Sequence, residues 1–166
     1  MVLRYADDVA TTTYAIALGA NRHSRAGSPE AAIAAALVRI GDVIAVSPVL
    51  HSAPVGPSIR RFANAVAIVE THETPPALLA RLKTIERAFG RRRGRRWGAR
   101  PIDLDIICWS GGIWSGPGLG IPHVAFRTRG FVLHPLAQIA PDWRDPLTGR
   151  TMRQLAHMVD RRKPRT

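Results

Sequence analysis

Residues Gly90 to Cys108 read GRRRGRRWGARPIDLDIIC. The second half of this stretch decides the fold. From Ile102 to Ile106 apolar and acidic residues alternate strictly, so in an extended strand Ile102, Leu104 and Ile106 point to one face while Asp103 and Asp105 point to the other. The apolar face belongs on a core, which leaves the carboxylates on an open face. Aspartate is a poor strand former, and two of them around one leucine need a reason. Like charges that close repel unless a cation lies between them. The first half holds six arginines, Arg91, Arg92, Arg93, Arg95, Arg96 and Arg100, with Gly90, Gly94 and Gly98 among them. A metal at the aspartates and guanidinium forks beside them would together suit a polyphosphate. Taken singly, the two halves also read as a solvated acidic face and a solvated basic loop.

Upstream of this strand the chain alternates strand and helix signals. Thr13–Leu18 is β-branched, aromatic and aliphatic, and it stops at Gly19-Ala20-Asn21. Ser28-Pro29 opens a helix with apolar stripe Ile33, Leu37 and Ile40 and a stop at Gly41. Val43–Leu50 predicts a second strand, and His51–Arg61, with Pro54, Gly56 and Pro57, an exposed loop. Phe62–Val69 predicts a third strand with Phe62, Asn64, Val66 and Ile68 on one face. Thr74-Pro75 repeats the capping arrangement before a helix marked by Leu78, Leu82, Ile85 and Phe89 and ending at Gly90. With the strand at 101–108 the order is βαββαβ, an α+β, ferredoxin-like core: an antiparallel sheet with helices on one face and substrate loops on the other. Downstream, GGIWSGPGLG (111–120) is a turn-rich connection, Val132–Leu136 a short apolar stretch, and Thr151–Val159 a last short helix with Leu155 and Met158 inward. Residues 1–12 predict a loose extension and 160–166 a basic tail.

The 166 residues, 46% of them hydrophobic, predict a single domain spanning 1–166 with a real core. Net charge is +12, and ten of the 24 lysines and arginines lie in the loop at 91–100 and the tail from Arg161. That asymmetry implies an anionic partner, without separating nucleotide from nucleic acid. The one cysteine, Cys108, excludes an internal disulfide and reads as a small core residue. No apolar run reaches the roughly 18 residues that span a bilayer. Asp7 and Asp8 break any signal-peptide pattern at the N-terminus, so a cytoplasmic protein without membrane partners is expected.

Further candidates stand elsewhere in the chain. Asn64 interrupts an otherwise apolar strand with an amide that offers a donor and an acceptor to a heterocycle edge. Phe62 and Phe131 read as stacking platforms or as core. His123, after Pro122 and near Arg129, sits in a loop beside the expected phosphate site, and the other histidines, including His51 and His134, have no metal-ligand spacing.

These residues carry a resemblance to the 6-hydroxymethyl-7,8-dihydropterin pyrophosphokinase family of folate biosynthesis over roughly Thr13 to Met158. Its signatures here are Ala17-Leu18-Gly19-Ala20-Asn21, Pro54-Val55-Gly56-Pro57 before Phe62-Ala63-Asn64-Ala65, Glu86 to Arg91, Arg96-Trp97-Gly98-Ala99-Arg100 running through Asp103-Leu104-Asp105-Ile106, and Pro122-His123 with Arg129-Gly130-Phe131. Phe62 stands where many members have tyrosine, Ala99 where proline is frequent and Ala20 where serine is.

The resemblance implies a transferase that moves pyrophosphate from ATP to 6-hydroxymethyl-7,8-dihydropterin and releases AMP. It implies two Mg2+ ions held by Asp103 and Asp105, with Arg91 and Arg100 as catalytic partners. The ATP set is Arg91, Arg100, Ile106, His123 and Arg129. The pterin set is Ser52, Pro54, Val55, Phe62, Asn64 and Phe131, with Trp97 on the loop that closes over the substrates. Partners are then small molecules and not nucleic acid, with a monomer as the default. A single-strand RNA module built on a ferredoxin-like sheet is the rival reading, and it leaves Asp103 and Asp105 without a role.

Overall fold

The computed structural model describes residues 10–53, 60–90 and 101–161. The chain runs β1 (Thr12–Ala20), α1 (Pro29–Ile40), β2 (Val43–Val46), β3 (Leu50–Ser52), β4 (Phe62–Thr71), α2 (Pro75–Ala88), β5 (Asp103–Trp109), β6 (Trp114–Gly116), β7 (Leu119–Ile121), α3 (Gly130–Ile139) and α4 (Met152–Arg161). An antiparallel sheet in the order β2-β4-β1-β5, with β3 paired to the other end of β4, forms the centre. This is the expected α+β, ferredoxin-like arrangement.

The helices form where their caps and stripes place them. Ser28 Oγ accepts from Ala31 N–H and Pro29 occupies the first turn of α1, while Gly41 closes it at φ +66°. The second start differs from expectation. Thr74 makes no side-chain cap bond; Pro76 removes one of the two N–H groups that such a cap serves. Ile102, Leu104 and Ile106 join Ile16, Leu18, Ile33, Ile40, Leu78 and Leu82 in a buried cluster between the sheet and α1 and α2.

Four local expectations are corrected. Val43–Leu50 is not one strand: Ser47 Oγ accepts the Val66 N–H at 3.0 Å and Pro48 follows, so the chain leaves the sheet after Val46 and re-enters as β3, which runs into the segment read as loop. Residues 111–120 carry a hairpin, β6 against β7, because Gly118, between the two strands, takes a positive φ and turns the chain back. In α4 the inward residues are Met152, Leu155, Ala156 and Val159; Met158 is only half-buried. The strand β1 begins at Thr12 and α4 extends to Arg161, so only 1–9 and 162–166 of the proposed extension and tail lie outside the described residues.

The second face of the sheet is open only in part. Val132, Leu133 and Leu136 of α3 and Met152, Leu155 and Val159 of α4 pack with Ala15, Val66, Ile68, Ile107 and Cys108 into a second buried cluster. That cluster rests on an irregularity between Ala15 and Ile16, where β1 pairs with Cys108 and then with Ile106. The extra residue in β5, Ile107, is thereby added to the apolar end of this face. Arg127 and Asp145 fasten the covering elements together. Arg127 Nε and Nη2 donate to the two carboxylate oxygens of Asp145 at 2.7 and 2.6 Å, and Thr148 Oγ1 donates to Oδ2 at 2.6 Å. No helix among the described residues is long and apolar enough to cross a membrane.

Candidate active site

The register of three strands builds the site. Gly19 of β1 lies opposite Asn64 of β4 on one side and Asp103 of β5 on the other. Ala17 likewise lies between Val66 and Asp105. Directly opposed residues share a face, so this face grades from Ile68, Ala15 and Cys108, covered by α3 and α4, to Asn64, Gly19 and Asp103 beyond them. The two aspartates are half-buried at the border. Period two in three adjacent strands therefore turns one apolar sheet face polar at a single end.

Asn64 is 5% exposed, and its Nδ2 donates to Ser52 Oγ at 2.9 Å, Leu50 O at 3.3 Å and Phe62 O at 3.4 Å. The protein thus uses the amide donors to hold β3 on β4. What remains for a heterocycle is the acceptor Oδ1, which faces Gly19. Ser52 is paired with Phe62, and both are half-buried at the polar end. Phe131 lies in the first turn of α3, which packs against β3 and β4; its ring rests partly on the second cluster, with the Arg129 guanidinium 5.9 Å from its centroid. Phe131 is both a flank of the core and a neighbour of Arg129.

His123 follows the cis Ile121–Pro122 peptide, and its N–H donates to Ile107 O at 2.9 Å, which fixes the loop beside β5. Burial holds its pKa below the ordinary 6.5; Asp105 and Asp103 oppose that shift and Arg129 adds to it, so these four groups share one electrostatic environment. Its Nδ1 accepts from Ala125 N–H at 3.2 Å, which leaves the proton of the neutral ring on Nε2. Ile106 does not offer its side chain, which is 3% exposed in the helix-side core.

Pro54, Val55, Arg91, Trp97 and Arg100 lie outside the described residues. Among the described residues no group of three His, Cys, Asp or Glu side chains gathers as a metal site. A pair of carboxylates fits magnesium nonetheless, since that ion takes one or two protein carboxylates and completes its shell with water and phosphate oxygens. His51 and His134 pair instead with Glu30 and Asp160. The sequence reading missed Gly19 as a site residue; it stood in a quoted signature, but only the register shows that it separates Asn64 from Asp103.

A family model described as 7,8-dihydro-6-hydroxymethylpterin-pyrophosphokinase matches residues 15–141. The chain is 45% identical over 105 residues to a 2-amino-4-hydroxy-6-hydroxymethyldihydropteridine pyrophosphokinase of Pseudomonas aeruginosa, covering 63% of this chain and 65% of that protein. It is 39% identical over 129 residues to the protein of the same name from Haemophilus influenzae, covering 76% and 81%. The matched stretch thus spans somewhat under two thirds of the Pseudomonas relative's length. Among solved structures, a Plasmodium falciparum HPPK-DHPS triple mutant superposes with TM-score 0.72 over 94% of this chain and 45% of that one at 16% identity, a likeness of fold.

Proposed function

The chain belongs to the 7,8-dihydro-6-hydroxymethylpterin-pyrophosphokinase family, and from that membership we propose that it transfers pyrophosphate from ATP to 6-hydroxymethyl-7,8-dihydropterin in folate biosynthesis. The observation that carries the proposal is the row Asn64–Gly19–Asp103, which sets an amide acceptor and a carboxylate on either side of a residue without a side chain. A nucleic-acid module has no use for two aspartates on its binding face, whose charge repels phosphate.

In the proposed reaction the substrate hydroxyl oxygen forms a bond to the β-phosphorus. The bond from that phosphorus to the oxygen bridging it to the α-phosphorus breaks, and AMP leaves with the electron pair. Asp103 and Asp105 would hold Mg2+, which when bound neutralises charge on the phosphate oxygens. One of the same two carboxylates would assist in taking up the hydroxyl proton. Asn64 Oδ1 would accept from an amino or ring N–H of the pterin, with Phe62 and Phe131 stacking on the ring and Ser52, Pro54, Val55 and Trp97 around it. His123 Nε2–H and the Arg129 guanidinium would donate to ATP phosphates, with Arg91 and Arg100 from the loop adding charge as the transition state develops. Ile106 would meet the nucleotide through its backbone, because strand alternation turns its N–H and C=O, like those of Leu104, away from β1.

The test is to incubate the purified protein with ATP, Mg2+ and 6-hydroxymethyl-7,8-dihydropterin and identify the nucleotide product. AMP together with pterin diphosphate is expected. ADP, or no turnover, would overturn the assignment.

A further inference from the structure

A buried carboxylate on α2 reaches the strand that carries the two aspartates. Glu86 is 1% exposed, and its Oε1 accepts the backbone N–H of Leu104 at 2.8 Å and Lys83 Nζ at 2.9 Å. The same Lys83 Nζ lies 3.4 Å from Leu104 O. Leu104 is the residue between Asp103 and Asp105.

The need for such a clamp follows from the sheet order. Among the described residues the strand β5 is at the sheet edge, paired with β1 on one side. In an antiparallel ladder alternate residues turn their N–H and C=O outward; Leu104 is one of these, and at an edge both groups would lack a strand partner. Glu86 and Lys83 supply them: a carboxylate for the N–H and an ammonium for the C=O. Leu104 is then held by its fully buried side chain below and by α2 at the outer edge, within a strand whose register on β1 places it opposite Leu18.

A carboxylate so deeply buried gives up its hydration. Leu78, Leu82 and Ile85 already provide the apolar contact of α2 with the sheet, so helix packing does not require an acid at 86. We propose that Glu86, with Lys83, is a positioning residue: by fixing the Leu104 peptide it sets the spacing and direction of the Asp103 and Asp105 carboxylates, and so the affinity of the site for a divalent cation. The inference rests on the proposed metal role of the two aspartates.

The test measures Mn2+ binding by electron paramagnetic resonance, with a non-hydrolysable ATP analogue present, on the full chain and five variants. Asp105→Asn tests the metal role itself and should abolish tight binding. Glu86→Ala should weaken Mn2+ binding about ten- to a hundredfold, as loss of a group that orients a metal ligand does, while affinity for the pterin alone stays unchanged. Glu86→Gln keeps an oxygen acceptor for Leu104 N–H and should stay within roughly threefold of the parent. Leu79→Ala, on the same helix, trims a half-buried side chain at the edge of the first cluster without removing a partner of the Leu104 peptide; it should lower the melting temperature and leave Mn2+ affinity unchanged. If Asp105→Asn loses Mn2+ and Glu86→Ala retains it, the positioning role is wrong. If Asp105→Asn retains Mn2+, the metal reading fails and this inference with it. If Leu79→Ala weakens Mn2+ binding as much as Glu86→Ala, the effect is loss of stability and the inference is overturned. Should Glu86→Ala not fold, parent-like Mn2+ affinity in Glu86→Gln together with a drop in Lys83→Met supports the clamp, and parent-like affinity in Lys83→Met refutes it.

Discussion

Asp103 lies directly opposite Gly19 in the β1–β5 ladder, and the next residue across the sheet is Asn64. Because the middle position has no side chain, the buried amide oxygen and the carboxylate flank an open slot on the sheet face. A Cβ placed at Gly19 would meet Asn64 Oδ1 at 3.5 Å, an ordinary contact.

The slot makes a graded prediction. Gly19→Ala should fold and keep most of its turnover, while Gly19→Val should fill the space and reduce kcat/KM for the pterin on the order of a hundredfold. Steady-state kinetics with each substrate varied would check it. An equally active Gly19→Val would mean that neither substrate enters between Asn64 and Asp103.

Asp103→Asn and Asp105→Asn should each lower turnover by roughly a hundredfold or more, and Asp105→Asn should do so without loss of melting temperature. The two carboxylates repel each other across one residue, so neutralising Asp105 relieves the folded protein when no cation is bound. Melting curves without Mg2+ and turnover with it, on the same preparations, test both halves; a variant that unfolds would show that the aspartate is structural.

The Arg127–Asp145 pair predicts how the fold responds to acid. Burial alone would raise the Asp145 carboxyl, but the hydrogen bonds from Arg127, Thr148 and the Leu147 N–H outweigh it and hold it below the ordinary 3.8. The unfolded chain therefore takes up this proton first. The pair's contribution is complete above pH about 4 and is lost as the pH falls toward the lower, folded value. Denaturant melts should show Arg127→Met destabilised by about 3–5 kcal/mol near neutrality, since it leaves a buried charge unpaired. The stability gap between the parent and Asp145→Asn should narrow steadily below pH 4; a gap independent of pH would rule out the ion pair as its source.

Cys108 is 1% exposed, and burial pushes its thiol up to about 12. The native protein should resist alkylation at pH 8, and the rate of modification in mild denaturant should follow global unfolding, because this residue lies in the cluster under α3 and α4. Fast labelling of the native protein would show that this end of the molecule opens locally.

The parts of the fold written in short-range pattern were legible. Ser28-Pro29 and Gly41 bound α1, and the alternation from Ile102 to Ile106 places its apolar residues under the helices. Other parts depended on contacts between distant residues. Nothing near Ser47 announces that its hydroxyl will take the Val66 N–H and end β2. Met158 stands only half-buried at the edge of the apolar side of α4, since a helix reveals its apolar arc but not which part of it meets α3. The sequence offers the amide of Asn64 as donor and acceptor together, and only the approach of β3 commits the donor.

By itself the sequence determined the alternating strand at 102–106, the caps and stripes of the first two helices, and a set of residue types whose order resembles one enzyme family, because each is a matter of neighbours along the chain. Tertiary structure alone decided that Asn64, Gly19 and Asp103 form one row, that α3 and α4 leave only one end of that face polar, and that Glu86 holds the peptide between the aspartates. Register, coverage and edge pairing join residues tens of positions apart, and no local periodicity encodes which of them meet.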